Sequence, residues 1–419
     1  LARTSKSAKT GVWIAIIIII AILAAYGGYY SGFADGLKHA QQSPQGGPGA
    51  GPTTPLSIKV GVVASNVPHS SDVLHGVQLA GDLLNNKSGA ALRNVTLSIK
   101  YSDREDPERV KYFVTSLINE GIKVVIGAIS NSEVKAVLRM LHLNDTILVL
   151  VSNEVYDDVV YDDPNVVKML GGPDVEARAM AYLALEVGKE GLGAAIIAAN
   201  NSYCLRLANV INEAYSSRGG RIVSKAVYEL GKTNITESLV NVSASKPAVV
   251  FFAGQKGDAS AILEAARSVG LKATWILSSA MADDLLSRPD LASYVTGSYL
   301  VARRNASLSP RFDFFAELYR RVYREEPHEM AAYGFDSLVL AALSSAYAGK
   351  YNSSAVRGAM DALCDFIGIT GPKFLDSKGN VVQEYDILRV VEGGRKIEVV
   401  GRWVPVDAEK ARIEWSHGS

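Results

Sequence analysis

From Ile58 to Trp403 the chain alternates short apolar runs with longer stretches whose apolar residues recur every three or four positions. Ile58 to Val63, Val95 to Tyr101, Lys123 to Ile126 and Thr146 to Val151 read as strands. Between them, Asp72 to Leu84, Glu108 to Asn119 and Ser132 to Leu143 have helical spacing. The strands are short and almost wholly apolar, as expected where both faces of a parallel sheet are covered. The same rhythm restarts after Gly171, Gly172 and Pro173. It gives helices over Glu176 to Val187, Cys204 to Ser217 and Ala259 to Val269, with strands over Gly193 to Ala199, Arg221 to Tyr228, Ala248 to Ala253 and Ala273 to Leu277. A helical pair, Arg311 to Tyr323 and Ala331 to Ala348, precedes a strand pair near Val381 to Val391 and Lys396 to Trp403. Two successive units of alternating strand and helix predict an α/β fold with parallel sheets in two lobes.

The N-terminal segment breaks this pattern. Gly11 to Ala34 carries no charged side chain in twenty-four residues, and Ile16 to Ile20 are consecutive isoleucines. As a helix it spans roughly 36 Å, against about 30 Å of bilayer hydrocarbon. Trp13 at one edge and Tyr26, Tyr29, Tyr30 and Phe33 at the other suit the two membrane interfaces. Arg3, Lys6 and Lys9 precede it and no basic residue follows until Lys38, so the bias in positive charge places the N-terminus in the cytoplasm and the remainder outside. A cleaved signal peptide is the alternative, but its apolar region runs only about 7–15 residues. Residues 1–39 are therefore expected to form a transmembrane-type helix and residues 40–56, rich in Gly, Pro, Gln, Ser and Thr, a tether.

Charge and cysteine content narrow the function. Lys plus Arg and Asp plus Glu both total 43, so no net field favours nucleic acid. Two cysteines, Cys204 and Cys364, allow at most one internal bridge, and spacing alone does not pair them. Eight Asn-x-Ser/Thr sites occur, at Asn86, Asn94, Asn144, Asn200, Asn234, Asn241, Asn305 and Asn352. Chance predicts about two, so a glycosylated exterior is expected. No paired-His metal motif, Cys-x-x-Cys or Gly-x-Ser-x-Gly elbow is present, which argues against an enzyme and predicts neither metal nor cofactor.

Six segments follow one another in a recognisable order: SSDVLHGVQLAGDLLNNKSG, VVIGAISNSEV, AAIIAANNSYCLRLANVINEAYSSRGGRIV, AVVFFAGQKGDASAILEAARSVGLKA, EEPHEMAAYGFDSLVLAALSSAY and GITGPKFLDSKGNVV. Together they resemble the branched-chain amino-acid-binding type of periplasmic substrate-binding proteins from about Ser57 to Trp403. The resemblance implies two Rossmann-like lobes joined by three crossovers, near Lys168 to Gly172, Tyr299 to Ala302 and Gly371 to Phe374, with a ligand trapped in the cleft. It divides the chain into lobe 1 (57–170 and 303–371), lobe 2 (172–300 and 374–405) and a tail (406–419). It also implies a small-molecule ligand and an ABC transporter permease as partners.

Candidate ligand residues lie just beyond the strands, where open parallel sheets bind. Ser130, Asn131 and Ser132 precede a helix, so hydroxyls and unpaired amides converge as in a carboxylate site, although N-capping by Ser132 explains the same letters. The matching loop of the family holds ligand carboxylate. Ser152, Asn153 and Glu154 follow the Thr146 to Val151 strand, where the family usually has a Ser-Pro-Ala-type loop that this sequence lacks. Tyr203 stands where the family often places a ring over the ligand, and Gln255, Lys256 and Asp258 lie in the next loop. Ser279 replaces an acidic residue that meets the ligand ammonium in amino-acid binders. That replacement disfavours an ordinary amino acid unless Glu154 or Asp258 substitutes, and points to a carboxylate, amide, peptide or polyol-like ligand. A glycan at Asn200 would crowd the Tyr203 loop. His69, with Asn66, Ser70 and Ser71, lies in the first strand-to-helix loop, where it either faces the cleft or, as is commoner for a lone loop histidine, is only solvated.

The expected protein is a solute-binding domain anchored in the cytoplasmic membrane and displayed at the cell surface. Two rivals remain: a filament whose apolar N-terminal helices bundle as a homopolymer, and a sensory ectodomain. The start at Leu1 fits removal of a leader by a pilin-type peptidase, as in some archaeal solute-binding proteins that resemble pilins. Burial of Arg3, Lys6 and Lys9 in a filament core opposes assembly.

Overall fold

The computed structural model describes residues 57–86, 95–152, 160, 162–188, 193–229, 235–348, 351–363 and 367–416. The Gly11 to Ala34 segment and the tether lie outside them. Among the described residues no helix is long and apolar enough to cross a membrane. The chain divides into two compact units, one built from described residues of 57–170 and 305–381, the other from 171–304 and 382–416.

Unit 1 contains a five-stranded parallel sheet in the order β2-β1-β3-β4-β5. Its strands are β1 (Ile58–Ala64), β2 (Val95–Tyr101), β3 (Val124–Ala128), β4 (Ile147–Leu150) and β5 (Val166–Lys168). Alternate side chains serve opposite faces. Val60, Val62, Val124, Ile126, Ile147 and Val149 join one core, while Val63, Val125, Leu148 and Leu150 join the other. Two helices, α1 (Ser70–Asn86) and the long buried Glu329–Ala348, cover the first face. The second is covered by α2 (Pro107–Asn119) and α3 (Asn131–Leu143). Because both faces are buried, the inner strands β1, β3 and β4 need no polar alternation, whereas the edge strand β2 alternates.

Gly76 of α1 and Gly334 of Glu329–Ala348 permit backbone-to-backbone contact between these helices. A Cβ built on Gly76 would meet the Ala331 carbonyl oxygen at 1.8 Å, and one on Gly334 the Val73 oxygen at 2.3 Å. The fully buried Asp336 then ties the returning chain to the second helix. Its carboxylate accepts from the Ile369 and Thr370 amides and from Thr370 Oγ1, at 2.8, 2.9 and 2.7 Å, and pairs with buried Lys373 at 3.4 Å.

Unit 2 contains an eight-stranded mixed sheet. Its parallel part runs β7 (Arg221–Tyr228), β6 (Gly193–Ala199), β8 (Val249–Ala253), β9 (Thr274–Ser278) and β10 (Tyr299–Arg303). Antiparallel strands Tyr385–Val391, Lys396–Pro405 and Ala411–Trp415 extend it beyond β10. Helices α4 (Gly172–Val187) and α5 (Ser202–Ser216) are clasped by a buried pair, in which Arg206 donates to Asp174 at 2.5 and 2.8 Å.

Several expected boundaries change. Residues 411–415 of the expected tail are an edge strand. The last passage between units falls at 381/382 rather than near Gly371 to Phe374, because the Asp376 turn stays with unit 1. There the Lys168 amide donates to the Gly379 carbonyl at 2.8 Å, and Lys168 Nζ to that of Lys378 at 2.7 Å. Helices Ile235–Ala244, Ala282–Ser287, Pro289–Tyr294 and Ser353–Ala362 add to those read from periodicity.

The helix contact yields a paired test. Gly76→Ala should destabilise the protein by about 1–3 kcal/mol through overpacking. In Ser353–Ala362, Gly358→Ala meets nothing within 4 Å and should be neutral or stabilising. Urea denaturation midpoints measure both, and equal midpoints would contradict the close contact.

Candidate functional site

In each unit, polar side chains gather where the parallel strands end. In unit 1, Ser130 follows β3 and is the N-cap of α3. The helix therefore begins at Asn131, and Ser132 is not its cap. Glu133 completes a capping box and is fully buried; its Oε2 accepts the Ser130 amide at 2.8 Å and the Ser65 hydroxyl at 2.5 Å, and its Oε1 the Asp106 amide at 2.8 Å. This network fixes the ends of β1 and β3 and the entrance to α2 relative to one another.

The fixed Ser130 and the exposed Ser132 point their hydroxyls at a single atom. Both donate to Glu105 Oε1, each at 2.7 Å. The Ser132 hydroxyl first, then that of Ser130, holds the exposed Glu105 carboxyl below the ordinary glutamate value. The chain thus places one of its own carboxylates at this helix N-terminus, a position favourable to negative charge. Ser102 Oγ and Asn131 Oδ1, at the same end of the sheet, are buried without a hydrogen-bond partner among the described residues. Ser152 follows β4 and is half-buried; Asn153 and Glu154 lie outside the described residues.

In unit 2, Asn201 caps α5 by accepting the Cys204 amide at 2.9 Å, which sets Tyr203 in the first turn. The Tyr203 hydroxyl donates to Glu176 Oε2, on α4. Ser278, at the end of β9, also bonds Glu176, and the charge of Arg303, at the end of β10, lies close enough to act on it. Burial dominates these contacts and pushes the Glu176 carboxyl above its ordinary value. Tyr203 is therefore more than a packing ring, because it satisfies a buried acid that periodicity did not identify.

The other loop residues divide. Gln255 is exposed, and its amide donates to Asp258 Oδ2 at 3.1 Å, which also accepts the Tyr228 hydroxyl at 2.7 Å. Asp258 thus holds a turn together. Exposed Lys256 pairs with Asp283 at 2.8 Å. Ser279 opens a 3-10 turn directly after β9. Cys204 is buried and free, with burial raising its thiol to about 11; Cys364 lies outside the described residues. Among the sequons, Asn200, Asn241 and Asn305 are exposed and Asn144 and Asn352 half-buried. Asn86 ends α1, while Asn94 and Asn234 lie outside the described residues.

Glu105, Glu133, Glu176 and Arg303 were absent from the sequence-derived site. Of these, Glu133 had a readable signal in the Ser-x-x-Glu spacing from Ser130. The others are assembled by loops and helix packing, for which no local pattern exists.

Two α/β units with parallel sheets and polar strand ends define the architecture of a type I periplasmic binding protein. Residues 57–395 match the family described as periplasmic binding protein, and the chain belongs to it. Solved structures share the fold. One, provisionally assigned to a branched-chain amino acid ABC transporter of Rhodospirillum rubrum, is 20% identical with a TM-score of 0.62, covering 82% of this chain and 100% of its own. An ABC transporter substrate-binding protein from Desulfitobacterium hafniense, in complex with Leu, is 20% identical with a TM-score of 0.58 and covers 82% and 100%. A solute-binding protein of Rhodopseudomonas palustris, in complex with 3,4-dihydroxybenzoic acid, is 17% identical with a TM-score of 0.54 and covers 84% and 98%. No curated protein sequence matches the chain.

The raised Glu176 carboxyl has a pH signature. The folded protein keeps this proton to higher pH than the unfolded chain, whose value is near 4.5. Its contribution is therefore full below about pH 4.5 and lost as pH rises through the folded-state value. Glu176→Gln removes that loss, so the variant should gain stability relative to the parent as pH rises above about 4.5. Denaturation at several pH values measures this, and a difference that stays constant with pH would contradict it.

Proposed function

We propose that this protein captures a small, carboxylate-bearing polar solute, such as an amino acid, amide, peptide or related acid, and delivers it to an ABC transporter. The observation that carries the reading is the pair of Ser130 and Ser132 hydroxyls on one carboxylate oxygen at the start of α3. Glu105 serves there as an internal stand-in for a solute carboxylate. The leucine and 3,4-dihydroxybenzoic acid bound to two relatives differ in nearly everything except their carboxyl group. In unit 2, Glu176 with Tyr203 and Ser278 supplies an acid close to the strand end from which Ser279 follows. Gly11 to Ala34 supports a membrane anchor that holds the binding domain outside, and exposed Asn200, Asn241 and Asn305 support glycosylation there.

Calorimetric titration with the solute that copurifies tests the reading. Glu105→Ala removes an internal competitor and should tighten binding by about two- to tenfold, the weight of one net hydrogen bond. Ser132→Ala should weaken it by a similar factor. Weaker binding in Glu105→Ala would mean that Glu105 itself meets a cationic group of the solute, and would overturn the carboxylate assignment.

A further inference from the structure

A second cluster in unit 1 belongs to none of the groups above. His69 lies in the loop after β1, immediately before α1, and His328 immediately precedes Glu329–Ala348. The backbone contact between these two helices at Gly76 and Gly334 brings their N-terminal ends together. The two imidazoles stack with centroids 3.7 Å apart and planes within 2°. Asp72, in the first turn of α1, meets His69 Nδ1 at 3.1 Å. Each of the three residues offers a ligand atom within 4.8 Å of the other two.

The backbone at His69 has φ +61, in the left-handed region that non-glycine residues rarely enter. Such strain persists where the surroundings impose it, and it concentrates at functional positions. Here it occurs at the residue whose ring stacks on His328.

We propose that His69, Asp72 and His328 form a binding site for one divalent transition-metal ion of the zinc, nickel or copper class. Two imidazoles and a carboxylate are a donor set for these ions, with a remaining position open to water or another ligand. Metal–ligand bonds of about 2.0–2.2 Å place tetrahedral donors roughly 3.3 Å apart. The His69 to Asp72 separation of 3.1 Å already matches this spacing. Parallel rings do not aim their lone pairs at one point, so binding requires the His328 ring to turn about its Cβ–Cγ bond, a broad torsion with a low cost. Both rings are exposed, and His328 Nδ1 accepts the Met330 amide at 3.3 Å, a long contact that a metal bond would replace. The proposal does not rest on the identity of the solute.

The test uses the full 419-residue chain in detergent, purified without a histidine tag, and titrated with Zn²⁺ by calorimetry alongside metal analysis after equilibrium dialysis. One Zn²⁺ per chain is expected. His328→Ala should weaken binding at least about tenfold. His69→Asn, a residue that tolerates positive φ, should do likewise, whereas His142→Ala, whose ring pairs with Asp163 instead, should leave binding unchanged. Absence of stoichiometric Zn²⁺, or equal affinity in His328→Ala, would overturn the proposal. His328 is exposed in a loop, so its variant reads binding even if His69→Asn folds poorly.

Discussion

Two helix backbones in direct contact set the geometry of unit 1. Any side chain larger than hydrogen at Gly76 or Gly334 would force α1 and Glu329–Ala348 apart. These helices, together with Phe312–Tyr323 and Ser353–Ala362, build the core on one face of the parallel sheet, which fills with alternate residues of β1, β3 and β4. Separating them would open that core, loosen the turn held by Asp336, and part His69 from His328. On the other face α2 and α3 pack through side chains such as Val110, Val114, Val134 and Leu138, and Gly61 of β1 gives Leu117 of α2 the space it fills.

The binding chemistry depends on a different constraint, the treatment of carboxylates near strand ends. Three acids are handled in three ways. Glu133 is buried and satisfied by two amides and a hydroxyl, so it positions the loops. Glu105 is exposed and borrows the hydroxyls that the loops present. Glu176 is buried with a tyrosine, a serine and a nearby arginine, and its ionisation is disfavoured. Desolvation raises a carboxyl, while hydrogen bonds to its charged form lower it, and the balance differs at each position. Glu105 is exposed and held only by the two hydroxyls of this cradle, whereas Glu133 is buried and ties three loops together.

Much of the architecture was legible because strands buried on both faces produce unbroken apolar runs. IKVGVV, VVIGA and VVFFA announce themselves, and the helices between them have clear periodicity. The edge strand Ala411–Trp415 did not, since its burial alternates and its composition is polar. The EEPHEMAAYGFDSLVLAALSSAY and GITGPKFLDSKGNVV segments, which helped carry the family resemblance, meet in the structure. Asp336 binds the Ile369 and Thr370 amides, while Asp376 closes a turn over Lys378 and Asn380. They hold the fold rather than the solute. The candidate site was only half legible. Ser130, Ser132 and Tyr203 were identifiable from their place after strands, but their acidic partners come from loops and a neighbouring helix that no local pattern links to them.

A solute carboxylate that enters the Ser130–Ser132 cradle, as proposed, must take the place of Glu105. A crystal structure of the protein with its copurified solute tests this most directly. The solute carboxylate is expected within hydrogen-bond distance of both hydroxyls, with the Glu105 side chain turned out to solvent. Glu105 still bound to both serines, with the solute held elsewhere, would contradict it.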